Sequence, residues 1–258
     1  MCELLGLAFN RPVSPGLSFR GFRHRGRRNP DGWGLAAIEA KKTTIVKEPI
    51  SAEESDTAAM LPDRDSLHAP IFIGHVRAAS CGSVSPANTH PFTRAFGGTT
   101  FTFAHNGTLD AGRLEKKVGP DFTPEGQTDS ELAMGALLTW LHRGQGAGCL
   151  SDYTSIEEFL RDLNNLGNLN LLFSDGQRLY CYHDAGAYNG LAWTRRESPF
   201  CRVSLRDEDW EADLAEEKEP DQRGYVLASR PLTDGEGWTK CRPGRLLVIE
   251  RGTAVFGA

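Results

Sequence analysis

Short apolar runs separated by turn residues occupy the first half of the chain, and this pattern predicts β-strands. Two consecutive runs, at 32–40 and 43–49, have the spacing of a hairpin pair. The run at 99–107 alternates apolar and polar residues and ends in Asn106-Gly107, a dipeptide typical of a tight turn. The other strands predicted in this half are 3–9 and 70–80.

Two segments in the middle of the chain have helical periodicity instead. The sequence Thr128-Asp129-Ser130-Glu131 has the form of a capping box, and the apolar residues that follow it fall on one helix face. The segment 155–158 repeats the capping pattern, and Gly167 stands where a glycine ends a helix. Strands are predicted again at 168–176, 178–184, 225–232 and 245–256.

The order of strands, two helices and strands favours a layered α+β domain over alternating βαβ units. The acidic stretch from Arg206 to Gln222 is expected to be a surface excursion. The 258 residues are 39% hydrophobic, which is enough to bury one substantial core.

The net charge is −5, so the chain lacks the overall positive charge typical of a nucleic-acid-binding protein. A local basic cluster is either a solvated loop face or a surface for an anionic substrate or partner. It comprises Arg20, Arg23, Arg25, Arg27 and Arg28.

Six cysteines are scattered without a Cys-x-x-Cys pair, and the first residues lack the features of a secretory leader. We therefore expect reduced thiols and a cytoplasmic protein. No run approaches the roughly 18 apolar residues that span a membrane, so no membrane association is expected. The sequence indicates no cofactor.

Cys2 is a candidate nucleophile because removal of Met1 would make it the terminal residue. A cysteine attacks as its thiolate and needs a proton acceptor. The free α-amino group of a terminal residue has a reference pKa of about 7.7–8.0, so part of it is neutral at pH 7 and can take the thiol proton. The alternative is a buried strand cysteine that packs as an ordinary apolar residue.

Attack of a thiolate on an amide builds an oxyanion that preorganised donors must meet. The side-chain amide of Asn106 and the backbone N–H of Gly107 could supply two donors, although a hairpin turn is the alternative interpretation. The segment 29–34 is glycine-rich and could form a tight loop fixed by Asp31, with a plain turn as the alternative. The segment 88–92 is expected to be an ordered loop near Arg77.

Arg77 ends an apolar strand, where burial of an unpaired guanidinium is costly. A substrate α-carboxylate would be a suitable bidentate partner, with a further hydrogen bond from Ser80. Alternatively, Arg77 leaves the strand end into solvent. Asp129 either accepts hydrogen bonds from a substrate ammonium or caps its helix. The histidines have no metal-ligand spacing such as His-Glu-x-x-His, so no metal site is predicted.

Together and in this order, these motifs resemble the class II glutamine amidotransferase domain, a branch of the N-terminal nucleophile hydrolases. The match is closest to small stand-alone bacterial members that begin Met-Cys-Glu-Leu-Leu-Gly and carry Asn-Thr-His-Pro-Phe. The matching pieces are Met1-Cys2, 31–34, 74–80, 88–92, 104–107 and 127–131, extended by 174–176 and 228–233.

The resemblance implies an α+β fold, the four-layer αββα sandwich of N-terminal nucleophile hydrolases. It also implies that mature Cys2 attacks the side-chain amide of glutamine and forms a γ-glutamyl thioester, with Asn106 and Gly107 as the oxyanion hole. Arg77 and Asp129 would hold the α-carboxylate and the α-amino group of the substrate.

Further roles follow from the same resemblance. Ser80 and His90 would line the pocket, and Arg28 loosely matches an arginine near the nucleophile of amidosynthase relatives. Cys81 stands where those relatives have a histidine, so the roles of that histidine do not transfer. Residues 1–258 are expected to form a single domain, with no synthase or isomerase domain to consume ammonia.

We therefore expect a glutaminase-type cysteine amidohydrolase. Its substrate is either glutamine, with ammonia passed to a partner enzyme in trans, or a small γ-glutamyl conjugate cleaved to glutamate and an amine. Two alternatives stay open: a non-catalytic module that binds glutamine and regulates, and a papain-like hydrolase in which a histidine serves Cys2. Persistence of Met1 would favour the module, whereas activity despite an N-terminal extension would favour the papain-like enzyme.

Overall fold

The computed structural model describes residues 1–40, 42–63, 67–144 and 150–257, so Cys149 lies outside the described residues. The strands are β1 (Glu3–Val13), β2 (Trp33–Glu39), β3 (Lys42–Glu48), β4 (Ala69–Val76), β5 (Phe92–Phe96), β6 (Thr99–Asn106), β7 (Asn170–Ser174), β8 (Arg178–Tyr182), β9 (Ala192–Arg196), β10 (Arg202–Leu205), β11 (Glu211–Asp213), β12 (Gly224–Ala228), β13 (Thr233–Asp234), β14 (Thr239–Lys240), β15 (Leu246–Glu250) and β16 (Thr253–Phe256). The α-helices are α1 (Gly16–Arg23), α2 (Asp56–Met60), α3 (Ala111–Glu115), α4 (Asp129–Arg143), α5 (Tyr153–Asn164) and α6 (Leu214–Glu217).

Two antiparallel sheets form the centre of the molecule. One has seven strands in the order β14-β9-β12-β1-β4-β2-β3, and the other has six in the order β16-β15-β8-β7-β6-β5. A small third sheet has the order β11-β10-β13. Because β1 lies between β12 and β4, the N-terminus is held in the middle of the larger sheet.

Alternation along β1 explains how the layers meet. Leu4 and Ala8 face the second sheet, whereas Leu5, Leu7 and Phe9 face the opposite side, where α1 packs. Gly6 shares the face of Leu4, and a Cβ there would lie 3.1 Å from Leu172 Cδ1. The absent side chain therefore lets the two sheets approach closely.

Helices cover the outer face of each sheet. On the six-stranded sheet, α4 and α5 bury Leu137 and Leu160 against a core that includes Phe173. On the seven-stranded sheet, Phe19 of α1 packs against Trp33, with ring centroids 5.6 Å apart. The expected α+β, four-layer αββα sandwich is confirmed.

Some local predictions are wrong. The cap of α5 is Asp152, which accepts a hydrogen bond from the Ser155 backbone N–H at 3.1 Å, so the helix begins before the predicted cap at Ser155. The alternative of a hairpin turn at Asn106-Gly107 is wrong, because α3 rather than a strand follows β6. The hairpin that β6 forms is with β5, and it turns at Gly97 and Gly98, both with positive φ.

Other elements were not predicted. The acidic stretch is mostly exposed, as expected, but it contains the short elements β11 and α6, in which Ala212 and Leu214 are buried. Helix α1 was not predicted either, because two glycines and two arginines interrupt its apolar pattern. Among the described residues, no helix combines the length and the apolar character needed to cross a membrane.

Candidate active site

Cys2 lies just before β1 and contacts the segment that follows β4. Its Sγ accepts a hydrogen bond from the Ala78 backbone N–H at 3.2 Å and can donate to the Ala78 carbonyl at 3.3 Å. Burial raises the pKa of the Cys2 thiol, while the Ala78 N–H, the terminal ammonium and the Arg77 guanidinium oppose that rise. No histidine is among the hydrogen-bond partners of this thiol in the described chain.

The loop before β2 fixes the segment that touches the thiol. The Asp31 N–H donates to the Arg77 carbonyl at 3.0 Å, and the Arg77 N–H donates to the Gly32 carbonyl at 2.7 Å. The Asp31 carboxylate also accepts a hydrogen bond from the Ala79 N–H at 2.7 Å. These bonds join the loop to both sides of Ala78, so the segment is more than a plain turn.

The Arg77 side chain is buried, so the alternative in which it extends into solvent is wrong. Its guanidinium donates to the carbonyls of Cys81 at 2.8 Å, Ser83 at 3.1 Å and Gly82 at 3.3 Å. It forms no ion pair with a carboxylate of the described residues. A buried cation held only by neutral carbonyls is suited to an incoming anion.

Asp129 is the first residue of α4, and Thr128 caps that helix by accepting a hydrogen bond from the Glu131 N–H at 3.2 Å. The alternative in which Asp129 is the cap is therefore wrong. Its carboxylate accepts hydrogen bonds from the Leu109 N–H at 2.7 Å and from the Cys81 thiol at 3.4 Å. Cys81 thus touches Asp129 with its side chain and Arg77 with its carbonyl.

Asn106 ends β6 on the face that points toward the seven-stranded sheet, because Ala104 on the same face packs between the sheets. Its side chain is 1% exposed, and Nδ2 has no hydrogen-bond partner among the described residues. At Gly107 a Cβ would lie 2.0 Å from the Asn168 carbonyl oxygen. The chain leaves β6 here without a hairpin, and the Asn106 amide remains an unused donor.

Three histidines close to these residues in the sequence, His75, His90 and His105, are buried. The rings of His75 and His90 are 4.3 Å apart. His105 donates from Nε2 to the Asn168 carbonyl at 3.0 Å, which leaves Nδ1 to accept from the Ser130 hydroxyl at 2.9 Å. Burial lowers the pKa of all three, that of His75 to about 3, so they are neutral at pH 7. Among the described residues, no three His, Cys, Asp or Glu side chains are arranged to hold a metal ion.

Two of the predicted site residues have few contacts. Ser80 is exposed beside Cys81, and Arg28 is exposed at the end of a 3₁₀ turn. The buried arginine of this turn is Arg25, which donates to Glu3 at 2.6 Å and to the Pro231 carbonyl at 2.9 Å. Arg25 thus contacts the strand that carries the nucleophile, whereas Arg28 is exposed.

Arg25 and its partner Glu3 were not predicted as site residues. Glu3 is 2% exposed and also pairs with Arg230. The signal was a carboxylate directly after Cys2 in an apolar strand, because a buried carboxylate requires cationic or hydrogen-bonding partners. Elsewhere in the basic cluster, Arg20 pairs with Asp63, and Arg27 pairs with Glu53.

A second missed segment reaches Cys2 from the loop after β8. Asn189 donates from Nδ2 to the Cys2 carbonyl oxygen at 2.9 Å. Tyr188 is partly buried next to it, and burial together with the negative charge of a Cys2 thiolate raises the pKa of the Tyr188 hydroxyl. The sequence around Asn189 carries no recognised motif that would have predicted its contact with Cys2.

Comparison with known proteins gives matches that extend over nearly the whole chain. The family described as class II glutamine amidotransferases matches residues 1–257. An uncharacterized protein of Methanocaldococcus jannaschii is 36% identical over 256 residues, which cover 99% of this chain and 71% of that protein. The Escherichia coli protein YafJ, named as a candidate glutamine amidotransferase, is 34% identical over 250 residues, 95% of each protein.

Solved structures agree in fold. A predicted glutamine amidotransferase from Pseudomonas aeruginosa superposes with a TM-score of 0.72 at 29% identity, covering 99% of this chain and 100% of that one. The glutamine phosphoribosylpyrophosphate amidotransferase of B. subtilis has a TM-score of 0.69 at 20% identity and covers 98% of this chain and 48% of that one. The second likeness concerns the fold alone.

Proposed function

This chain belongs to the class II glutamine amidotransferases, and on that premise we propose that it hydrolyses a γ-glutamyl amide through a Cys2 thioester. The substrate is glutamine or a small γ-glutamyl conjugate, and the products are glutamate and ammonia or an amine. The observation that carries the proposal is the contact of the Cys2 thiol with the segment that follows Arg77. A nucleophile and a buried cation that pairs with no carboxylate of the described residues are thereby adjacent.

The first step is activation of the thiol. After loss of Met1, the neutral α-amino group of Cys2 takes the thiol proton, and the thiolate attacks the amide carbonyl carbon. The tetrahedral intermediate collapses as the C–N bond breaks, and the ammonium returns its proton to the departing amine. Water then attacks the thioester, which releases glutamate and restores the thiol.

Asn106 and Gly107 would stabilise the oxyanion of both tetrahedral intermediates. The buried Asn106 Nδ2 supports this role because it has no acceptor among the described residues. A donor that is already desolvated gains most from a charge that develops beside it. We propose that the Gly107 N–H contributes the second hydrogen bond.

Arg77 and Asp129 would bind the glutamate end of the substrate. The Arg77 guanidinium would pair with the α-carboxylate, and Asp129 would accept hydrogen bonds from the α-ammonium group. We propose that Ser80 and His90 line this pocket and that Asp31 holds its backbone in place. We also propose Arg28 as a supporting residue near the nucleophile, on its loose match to the arginine of amidosynthase relatives.

We further propose that residues 1–258 form one catalytic domain, which the family match over 1–257 supports, and that the protein is cytoplasmic. Hydrolysis of glutamine in such a domain would deliver ammonia to a partner enzyme in trans. Hydrolysis of a γ-glutamyl conjugate would need no such partner. The two substrate classes therefore differ in what the protein must assemble with.

The test is a substrate profile. Protein whose loss of Met1 is verified by mass spectrometry is assayed with glutamine and a panel of γ-glutamyl amides, with release of glutamate as the measurement. We expect Cys2→Ala to reduce the release to background. Cys201→Ala is the matched control, because Cys201 is exposed and free; we expect it to retain wild-type activity.

Two outcomes would contradict the proposal. One is equal glutamate release by the wild type and Cys2→Ala. The other is full activity of a form with an uncleaved N-terminal extension, since the extension removes the α-amino base. Glutamine binding by calorimetry without any hydrolysis would instead support the regulatory module.

A further inference from the structure

The carbonyl of Cys2 is held by a side chain from a distant part of the chain. Asn189 Nδ2 lies 2.9 Å from the Cys2 carbonyl oxygen, and the two residues are separated by 187 positions. Once Met1 is lost, Cys2 is bonded to the chain on one side only. Its orientation then depends on non-covalent contacts, of which the hydrogen bonds to Ala78 and to Asn189 are direct.

The loop that carries Asn189 is itself held tightly. The buried Asp184 carboxylate accepts hydrogen bonds from the Gly186 N–H at 2.8 Å and the Tyr188 N–H at 3.1 Å. Asn170 donates from Nδ2 to the Tyr188 carbonyl at 2.6 Å. Asn170 also pairs with Asn106 across β6 and β7, so the loop is connected to the strand end that carries Asn106.

The backbone of Asn189 is in an uncommon conformation. Its φ is +53°, in the left-handed region that non-glycine residues seldom adopt. Glycine would adopt this conformation at less cost. Asparagine adopts this region more readily than most other non-glycine residues, so the backbone presents an amide here at little cost, and the Cys2 carbonyl is its hydrogen-bond partner.

We propose that Asn189 is a positioning residue for the terminal nucleophile, an inference that rests on the proposed function of Cys2. The Asn189 amide fixes the Cys2 carbonyl, while the Ala78 N–H fixes the sulfur at the other end of the same residue. Two fixed points restrict rotation about the Cys2 backbone and direct the thiol toward the amide carbonyl of the substrate. Asn189 touches neither the substrate nor the transferred proton.

The test is Asn189→Gly, which removes the amide and suits the left-handed backbone. Ala187→Gly is the matched control, because Ala187 lies in the same loop with φ +58° and its methyl side chain cannot donate a hydrogen bond to the Cys2 carbonyl. We expect Asn189→Gly to lower kcat for a γ-glutamyl amide by about 10²-fold, the scale for a misplaced catalytic group. KM should change by less than about threefold, because Arg77 and Asp129 are untouched, and Ala187→Gly should match the wild type.

A second measurement does not depend on turnover. We expect iodoacetamide to modify Cys2 several-fold faster in Asn189→Gly than in the wild type, because the released terminus exposes the thiol. If Asn189→Gly does not fold, Asn189→Asp takes its place, since aspartate tolerates the left-handed backbone but cannot donate to the carbonyl when ionised.

The outcomes separate the two ideas. Wild-type kcat in Asn189→Gly, or an equal loss in Ala187→Gly, overturns the role of Asn189 while leaving the role of Cys2 intact. A wild type that hydrolyses no γ-glutamyl amide overturns the proposed function. In that case the iodoacetamide rates alone decide: an unchanged rate in Asn189→Gly overturns the inference, and a faster rate supports it.

Discussion

The carboxylate of Asp31 lies 2.7 Å from the backbone nitrogen of Ala79, one residue beyond the Ala78 amide that contacts the Cys2 thiol. Two backbone hydrogen bonds between the same loop and Arg77 complete the connection. The loop before β2 therefore determines where the Ala78 N–H points. This relationship makes Asp31 a support for the nucleophile without direct contact with it.

We expect Asp31→Ala to lower kcat for a γ-glutamyl amide by about tenfold, because the Ala79 N–H loses its acceptor and the Ala78 segment loosens. The lost hydrogen bond to a charged group should reduce the free energy of unfolding by about 1.5–3 kcal/mol. Steady-state kinetics and urea unfolding measure the two effects. Asp209→Ala, at an exposed residue, is the control, and equal behaviour of the two variants would contradict this role.

The reactivity of Cys2 should depend on removal of Met1. With Met1 in place, burial raises the pKa of the thiol, so its modification by iodoacetamide should keep rising as the pH increases above about 8.5. Removal of Met1 puts an ammonium on the same residue, which favours the thiolate and should move the profile to lower pH. Peptide mapping of modified Cys2 at several pH values, with and without Met1, measures the shift. Identical pH profiles of modification in the two forms would contradict the prediction.

The buried histidines should make stability depend on pH. The His90 ring lies 4.3 Å from the rings of His75 and Phe92. Burial, followed by repulsion from positive charge on His75, His105, Lys47 and Arg77, lowers the pKa of His90 well below the ordinary value. An imidazole with a lowered folded pKa binds protons more readily in the unfolded state. The free energy of unfolding therefore falls as the pH decreases below about 6.5, the ordinary histidine value.

His90→Phe should weaken this dependence, because phenylalanine cannot be protonated and neither His90 ring nitrogen has a hydrogen-bond partner among the described residues. We expect a smaller difference between the urea midpoints at pH 7 and pH 5 than in the wild type. His68→Asn, at an exposed position, should leave the wild-type difference unchanged. If the urea midpoints of His90→Phe at pH 7 and pH 5 differ as much as those of the wild type, the His90 imidazole does not contribute to the pH dependence of stability.

Gly107 should tolerate no side chain. A Cβ at this position would lie 2.0 Å from the Asn168 carbonyl oxygen and 2.6 Å from His105 Nε2, so the backbone of the strand end would have to move. We expect Gly107→Ala to abolish glutamate release and to lower the free energy of unfolding by about 1–3 kcal/mol. Gly112→Ala is the control, because its Cβ would meet only Asp110 Oδ1 at 3.6 Å, and alanine favours the helix. Glutamate release by Gly107→Ala at the wild-type rate would refute the requirement for glycine at this position.

The sequence predicted most central strands and the long helix α4, because their apolar periodicity is local and strong. It was less successful where local signals compete. Asp152 and Ser155 are both good helix caps, and only the geometry shows that Asp152 accepts the Ser155 N–H. Likewise, Asn106-Gly107 has the composition of a hairpin turn, but α3 follows β6 there, and the hairpin partner of β6 is β5, which precedes it.

By itself, the sequence determined the family likeness, the candidate nucleophile Cys2 and the strands and helix that carry the candidate site, since each is encoded in neighbouring residues. Only the tertiary structure decided which arginine is buried beside Glu3, that Cys81 joins Arg77 to Asp129, and that Asn189 holds the Cys2 carbonyl. The physical reason is that periodicity specifies an element and its buried face. Contacts between residues far apart in the chain depend instead on strand order, on register and on the loops that the packed sheets bring together.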